Sequence, residues 1–207
     1  MKIKLKPILL LVGALAIVYA GIFLLPNHIE ALALIPEKFF SGEIWRLVTF
    51  QFTHLSELHL FENIAGVLLV GFLATELKIA TSDFSFVYFL SGSLAPLPIF
   101  TVVSFAALGA SAAIYGALGL ILLEATKFSI KISYVAVALI AAIFLQSGLM
   151  LFSYGVSCEG LLFNLKQAAT HFSGLIFGLG IFFLITKTRW NLTKKKRQIL
   201  RSEIEVG

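Results

Sequence analysis

The stretch Gly109-Ala110-Ser111-Ala112-Ala113-Ile114-Tyr115-Gly116 places one serine among small residues, between two long apolar segments of the chain. A serine hydroxyl is a poor nucleophile until a neighbouring base removes its proton. His171, which lies in a later apolar segment, is the residue best placed to be that base. The interpretation of the whole sequence depends on whether the fold brings these two side chains together.

The composition is that of a membrane protein. Hydrophobic residues make up 59% of the 207 residues, charged residues make up 13%, and the mean hydropathy is +0.97. These values lie outside the range of soluble domains. Because membrane spans of ~20 residues each would use most of such a chain, we expect one all-α polytopic domain. The single Cys158 can form no internal disulfide, so cysteine usage does not reveal the redox compartment.

Apolar runs and the breaks between them predict six transmembrane helices. The first run follows a basic start and continues to Leu25. A signal peptide cleaved after Ala20 is the alternative interpretation, but the apolar run extends beyond that residue. The predicted helices cover residues 8–25, 58–74, 84–96, 111–126, 132–151 and 167–186. They form a membrane domain of residues 1–186, which is followed by a basic tail at residues 187–207.

Two connections between the predicted spans are unusual. The uncharged stretch from Phe84 to Ala110 would form a helix of ~40 Å, which is too long for a hydrocarbon core of ~30 Å. Pro96 and Pro98 break this stretch, so we expect the third helix to end there, followed by a loop that dips back toward Ser111. Residues 26–58 are predicted to form a long loop that lies partly at the membrane interface.

Basic residues predict the orientation, because Lys and Arg accumulate on the cytoplasmic side of membrane proteins. Placing both termini in the cytoplasm puts thirteen of the sixteen Lys and Arg residues there and leaves Lys38, Arg46 and Lys166 outside. The net charge of +5 is then explained by topology, with contact to anionic lipid as a secondary role. Binding to nucleic acid is not needed to explain it.

The predicted orientation places four polar residues at one depth, just below the outer surface. His59 and Asn63 share one face at the start of the second helix, Ser111 begins the fourth, and His171 lies near the start of the sixth. Unsatisfied polar groups in hydrocarbon cost several kcal/mol. Packing alone would scatter such residues over different depths, so we interpret this level as a functional site.

Four short motifs carry a resemblance to a known family. These motifs are Trp45-Arg46 in the first loop, His59-x-x-x-Asn63 in the second helix, Gly109-x-Ser111 at the fourth, and His171-x-x-Gly174-x-x-x-Gly178 in the sixth. Their order, their spacing and the number of spans resemble those of rhomboid intramembrane serine proteases. The resemblance covers the six-helix core, and the four motifs together are specific although Gly-x-Ser alone is weak.

This resemblance implies a role for each polar residue. Ser111 would be the nucleophile, and His171 would act first as general base and then as general acid. The backbone amide of Ser111 and the side chains of His59 and Asn63 would stabilise the oxyanion, which physically requires donors aimed at the developing charge. Tyr115, one turn after the serine, would pack against the His171 ring, although a packing aromatic would occupy the same position.

The remaining motif residues would support the site. Gly109 precedes the serine, and Gly174 and Gly178 form a small-xxx-small pair below the histidine. Trp45-Arg46 is interpreted as a brace or anchor of the first loop at the membrane surface. One residue departs from the family pattern, because Ala112 follows the serine where glycine is usual, which puts activity or specificity in question.

The implied activity is hydrolysis of a peptide bond in a transmembrane segment of another protein, near the outer face, through an acyl-enzyme. It needs no cofactor and no metal, and it has transmembrane protein substrates and the lipid bilayer as partners. The implied location is the cell membrane of a prokaryote, as a multi-pass protein. The loop of residues 151–165 would act as a mobile cover, and His54 fits a family position near the water entrance or is a loop histidine bound by backbone.

Other classes fit the residues less well. A zinc protease would need a His-Glu-x-x-His run, which the chain does not have, and an aspartyl protease would need two aspartates where the chain has only Asp83. With no aspartate at the depth of the site, a Ser-His dyad is expected, although Glu159 could approach. A non-catalytic rhomboid-like protein that binds transmembrane clients is the main alternative. A transporter would need polar residues across the whole membrane.

Overall fold

The computed structural model describes residues 6–100, 102, 104–127 and 158–206, with side chains described as far as residue 127 and from residue 162 to 198. This part of the chain is helical and contains no strand beyond an isolated bridge between Leu34 and Ala107. The helices are α1 (Pro7–Phe23), α2 (His28–Leu32), α3 (Pro36–Phe40), α4 (Arg46–Thr49), α5 (Glu57–Glu76), α6 (Thr81–Leu94), α7 (Leu97–Phe100), α8 (Ser111–Ala125) and α9 (Cys158–Val206).

Most predicted helices lie within a few residues of the observed ones. Helices α1, α5 and α8 correspond to the first, second and fourth predicted spans. Helix α6 begins earlier than predicted, at Thr81, but it ends at Leu94, just before the first of the two prolines, and the short α7 follows. The predicted break at this proline pair is therefore confirmed. The predicted fifth helix at residues 132–151 lies outside the described residues.

The bounds predicted for the sixth helix were wrong. Helix α9 begins at Cys158, within the predicted loop of residues 151–165, although the sixth helix was predicted to start at residue 167. It also continues past Thr186 to Val206, through the basic tail. Leu, Lys, Arg, Gln and Glu all have high helix propensity, and no proline interrupts the segment. Scattered polar residues were therefore compatible with helix on both sides of the apolar part.

The segment between α1 and α5, predicted as a long loop, contains the short helices α2, α3 and α4 and a 3₁₀ turn at Phe50–Phe52. The buried guanidinium of Arg46 stabilises it: Nη1 donates hydrogen bonds to the carbonyl oxygens of Glu30 (3.0 Å) and Ala33 (2.7 Å), and Nε donates to Glu43 (2.6 Å). Arg46 is therefore a brace of this loop, while Trp45 is half exposed beside it.

Helix α8 lies at the centre of the bundle and packs on α9 through glycines. A Cβ placed on Gly174 or Gly178 would collide with the backbone carbonyls of Ala112 and Gly116 on α8. In the other direction, a Cβ on Gly119 would lie 2.6 Å from the carbonyl oxygen of Leu175 on α9. Small residues at such an interface let two helix backbones touch, as is common in membrane bundles. This contact sets the distance between the helices that carry the serine and the histidine.

Two ion pairs connect helices at the end of the bundle opposite to these residues. Lys6 Nζ lies 3.4 Å from the carboxylate of Glu76 and joins the start of α1 to the end of α5. Arg189 forms two hydrogen bonds of 2.6 Å to the carboxylate of Asp83 and joins α9 to the start of α6. The Asp83 side chain is buried, so its charge needs such a partner.

Three described helical segments are long and apolar enough to cross a membrane, namely Glu57–Glu76, Thr81–Phe100 and Leu162–Gln198. Helices α1 and α8 are apolar but shorter. Large apolar side chains such as Ile17, Phe72 and Phe183 are exposed on the outside of the bundle. This exposure is what contact with lipid requires, because lipid and not water would surround these side chains.

Candidate active site

Ser111 and His171 meet between α8 and α9. The distance from His171 Nε2 to Ser111 Oγ is 2.8 Å, which is a good hydrogen-bond length. The two residues come from separate helices, and the His171 ring is buried. The fold therefore brings together the hydroxyl and the imidazole that the sequence singled out.

Ser111 is the first residue of α8, and this position leaves its backbone N–H without a hydrogen-bond acceptor inside the helix. The first N–H groups of a helix have no acceptor within the helix and carry the positive end of its dipole. The preceding residue, Ala110, makes no side-chain cap hydrogen bond. The N–H groups at the start of α8 therefore remain available to bind a negatively charged oxygen next to the hydroxyl.

The His171 ring is oriented by stacking. Its centroid lies 4.5 Å from that of the Tyr115 ring, and the two planes are only 12° apart. Its other nitrogen, Nδ1, is buried and has no hydrogen-bond partner among the described residues. In this part of the chain no carboxylate supports the histidine, so packing against Tyr115 holds the ring with Nε2 toward the serine.

His59 presents a hydrogen-bond donor to the same region. Ser56 caps α5 by accepting a hydrogen bond from the backbone N–H of His59 (3.2 Å), which fixes the start of the helix. The backbone N–H of Leu55 donates to His59 Nδ1 at 3.4 Å, so the neutral ring carries its proton on Nε2. This buried Nε2 has no partner within the described residues.

Asn63 lies one turn further along α5 and is buried. One proton of its Nδ2 is donated to the backbone carbonyl of His59, at 2.7 Å, which fixes the side chain against the helix. The amide group has a second Nδ2 proton. That proton is therefore still available for a ligand oxygen beside the His59 ring.

A cavity of about 300 Å³ connects these groups. It is lined by the expected residues His59, Asn63, Ser111, Tyr115 and His171. Its other lining residues include Glu62, Asn164 and Gln167, together with the apolar Phe61, Gly66, Leu69 and Ile114. Neither Asn164 nor Gln167 was predicted as a site residue: Asn164 falls in the segment that was assigned to a loop, and Gln167 was only the predicted start of the sixth helix.

Gly109 lies against the ring of the cavity-lining His59, with its backbone in the left-handed region at φ +96°. Its backbone N–H donates to the carbonyl of Phe50, at 2.9 Å, and so ties the approach to α8 to the braced loop. Ala112, the departure from the family pattern, is buried at the interface where α8 meets Gly174. Its methyl group is accommodated while the serine and histidine remain in hydrogen-bond contact.

His54 also has surroundings that the sequence did not reveal. Its ring is fully buried against Tyr19 and His59, with centroid distances of 5.3 Å in both cases. Neither ring nitrogen has a hydrogen-bond partner among the described residues; only its backbone carbonyl is contacted, by His28. Burial, together with the nearby His59 and His28, lowers the pKa of His54 to about 3.

Comparison with known proteins assigns a family to this arrangement. The family model of the Rhomboid domain matches residues 41–188, a region that contains all four motifs singled out in the sequence. A search of curated proteins found no match. The described helices and the apolar outer surface agree with an integral membrane protein. Because the match covers well over half of the sequence, the chain belongs to the rhomboid family.

Proposed function

We propose that this protein is an intramembrane serine endopeptidase that cleaves transmembrane segments of other membrane proteins through the dyad of Ser111 and His171. The observation that carries this proposal is the 2.8 Å contact between His171 Nε2 and Ser111 Oγ in a cavity that His59 and Asn63 also line. A hydroxyl hydrogen-bonded to an imidazole is the arrangement that activates serine for attack.

In the acylation step, Ser111 Oγ attacks the substrate carbonyl while its proton passes to His171 Nε2. The tetrahedral intermediate then collapses, and the His171 imidazolium gives this proton to the nitrogen of the departing amine. This step releases the carboxy-terminal fragment of the substrate, with a free amino group. The amino-terminal fragment stays bound through an ester between its carbonyl carbon and Oγ. Stacking on Tyr115 keeps the ring in place during both transfers.

Three donors stabilise the oxyanion of each tetrahedral intermediate. They are the backbone N–H of Ser111 at the start of α8, the Nε2–H of His59 and the second Nδ2 proton of Asn63. The amide and the two side chains come from neighbouring helices and line one cavity. In a site that contains little water, each such donor contributes up to ~2.7–4 kcal/mol to transition-state stabilisation.

Water completes the reaction. A water molecule gives one proton to His171 Nε2 and attacks the ester carbonyl, and the second intermediate releases the acid while the proton returns to Ser111 Oγ. The cavity of about 300 Å³ has room for several water molecules. A site near one end of the bundle, as expected from the shallow level of its polar residues, gives water a short path through the membrane.

The same proposal includes the topology expected from the sequence. Six spans with both termini in the cytoplasm would place the site near the outer face of a prokaryotic cell membrane. The ion pairs Lys6–Glu76 and Asp83–Arg189 would then lie at the cytoplasmic end. In a Cys158→Ser background, a membrane-impermeant thiol reagent applied to intact cells tests this orientation on single cysteines introduced at Thr193 or Ser41: only the cysteine at Ser41 should react.

The decisive experiment compares cleavage by the purified wild type, Ser111→Ala and His171→Ala, using a single-span test substrate. Both substitutions should reduce the rate by a factor on the order of 10³ or more. Ser85→Ala is the matched control, because its hydroxyl hydrogen-bonds within α6, to the carbonyl of Thr81, away from the cavity. Cleavage that survives in Ser111→Ala would exclude the dyad.

A chemical probe separates this function from that of a non-catalytic client-binding relative. A fluorophosphonate should form an adduct on Ser111 in the wild type and none in His171→Ala, because only an activated hydroxyl attacks phosphorus. Mass spectrometry of the labelled peptide identifies the residue. Absence of an adduct in the wild type, together with capture of an intact substrate, would favour the client-binding alternative instead.

A further inference from the structure

The cavity contains a polar side chain for which the proposed chemistry has no use. Asn164 lies on the wall that α9 contributes, and only 6% of it is exposed. Its Nδ2 is buried and has no hydrogen-bond partner among the described residues. A buried donor without a partner costs about 1–3 kcal/mol, so the position is unfavourable unless a ligand meets the group.

Asn164 shares a helix face with the histidine of the dyad. It precedes His171 by seven residues, or two helical turns, and Gln167 lies between them at one turn. At 1.5 Å per residue, Asn164 is about 10 Å and Gln167 about 6 Å along α9 from His171. All three residues line the same cavity, which therefore continues as a polar strip away from the reacting atoms.

The length of this strip corresponds to a short extended peptide. An extended chain advances about 3.3 Å per residue, so Asn164 is level with a substrate residue about three positions from the scissile bond. Side chains of transmembrane segments are mostly apolar, whereas a main-chain carbonyl is present at every position whatever the sequence. The Asn164 amide would therefore meet the substrate backbone.

We propose that Asn164 is a substrate-binding residue, whose Nδ2 donates a hydrogen bond to a main-chain carbonyl of the substrate about three residues from the scissile bond. This inference rests on the proposed proteolytic function and adds a requirement for the substrate. The spacing of about three residues holds only for an extended chain, so the proposal requires that the substrate is bound as an extended strand beside α9 over that distance.

Steady-state kinetics of the full-length protein in detergent micelles test this contact. Asn164→Leu keeps a similar volume and removes the donor, and we expect KM to rise about 10-fold while kcat falls less than 2-fold, as for the loss of a binding contact. Asn164→Asp keeps the shape but places acceptor oxygens against the carbonyl, so KM should rise at least as much. The control is Asn191→Leu on the exposed part of α9.

A second measurement identifies the substrate atom. Test peptides in which a single backbone amide is replaced by an ester have a weaker hydrogen-bond acceptor at the carbonyl of that ester. In the wild type, the replacement about three residues from the cleavage point should raise KM, and in Asn164→Leu it should add nothing. Independent effects of ester and substitution at every position would overturn the contact, as would an unchanged KM in both Asn164 variants.

Two readouts keep this inference distinct from the proposed function. Labelling of Ser111 by a fluorophosphonate should be the same in Asn164→Leu and in the wild type; reduced labelling together with a lower kcat would show a disturbed dyad and overturn the binding role. The affinity of Ser111→Ala for a fluorescent substrate peptide should fall about 10-fold when Asn164→Leu is added. The same fall in a protein that never cleaves would support the contact while removing the protease.

Discussion

Gly109 lies directly against the imidazole ring of His59. A methyl group placed on the Gly109 Cα would come within 2.6 Å of both Cε1 and Nε2 of that ring. The residue also has φ +96°, a conformation that L residues rarely adopt. One glycine therefore sets the position of a proposed oxyanion donor and the backbone that leads to Ser111.

Gly109→Ala should consequently reduce catalysis by displacing His59. Loss of one oxyanion donor lowers kcat by about 10²-fold or more, and a fall of this size is the expected result in a cleavage assay. Gly13→Ala is the control, because a Cβ at Gly13 on α1 would meet nothing within 4 Å. Equal kcat values for the two variants would show that His59 does not need its observed position.

We expect the Tyr115 ring to support the rate of cleavage by stacking on His171. Tyr115→Leu removes the face that stacks on His171, whereas Tyr115→Phe keeps it. Stacked aromatic pairs contribute about 0.5–1.5 kcal/mol, so kcat should fall up to about 10-fold in Tyr115→Leu and clearly less in Tyr115→Phe. If Phe were as damaging as Leu, the hydroxyl and not the stacked ring would be the important group.

Local patterns were sufficient to predict the centre of this site. Ser111, His59 and Asn63 occupy the first turns of helices whose starts follow from clear changes in polarity, and helical periodicity places the latter two on one face. The small residues Gly174 and Gly178 indicated close packing of two helices, which the structure confirms. Short sequence motifs were thus enough to predict which residues lie around Ser111 and His171.

Contacts between distant segments could not be predicted in the same way. Asp83 and Arg189 pair across the bundle although nothing in either local sequence indicates the other. The burial of both His54 nitrogens depends on Tyr19 in α1, and the place of Asn164 depends on α9 starting earlier than its polar residues suggested. Tertiary packing determines these features, and propensity and periodicity do not report it.

Two glycines of α9 should respond in opposite ways to the same substitution. A Cβ at Gly178 would collide with the backbone of Gly116 on α8, whereas a Cβ at Gly180 would meet nothing within 4 Å. Gly178→Ala should lower the free energy of unfolding by about 1–3 kcal/mol through overpacking. Gly180→Ala should leave it unchanged or raise it by up to about 1 kcal/mol, because alanine is the better helix former.

Unfolding of both variants in mixed micelles, followed by circular dichroism against increasing denaturing detergent, measures this difference. Cleavage of a test substrate is a second readout, since separation of α8 from α9 would lengthen the contact between Ser111 and His171. Equal stability of the two variants would contradict the close backbone contact at Gly178.

The buried His54 should make folding stability depend on pH. Its pKa is about 3 in the folded protein, against an ordinary value of 6.5, so at intermediate pH the unfolded chain binds a proton that the folded protein excludes. This contribution to stability is fully present above pH 6.5 and is lost as the pH falls toward 3. Between pH 7.5 and pH 5, His54 alone should reduce the free energy of unfolding by about 2 kcal/mol.

His54→Phe removes the titrating group and keeps an aromatic ring beside Tyr19 and His59. It also removes two buried nitrogens that lack partners in the described part of the chain, so the variant should be at least as stable as the wild type at pH 7.5. Between pH 7.5 and pH 5 its stability relative to the wild type should rise by about 2 kcal/mol. A constant difference between the two proteins from pH 7.5 to pH 5 would mean that His54 accepts its proton in the folded state as readily as in the unfolded chain.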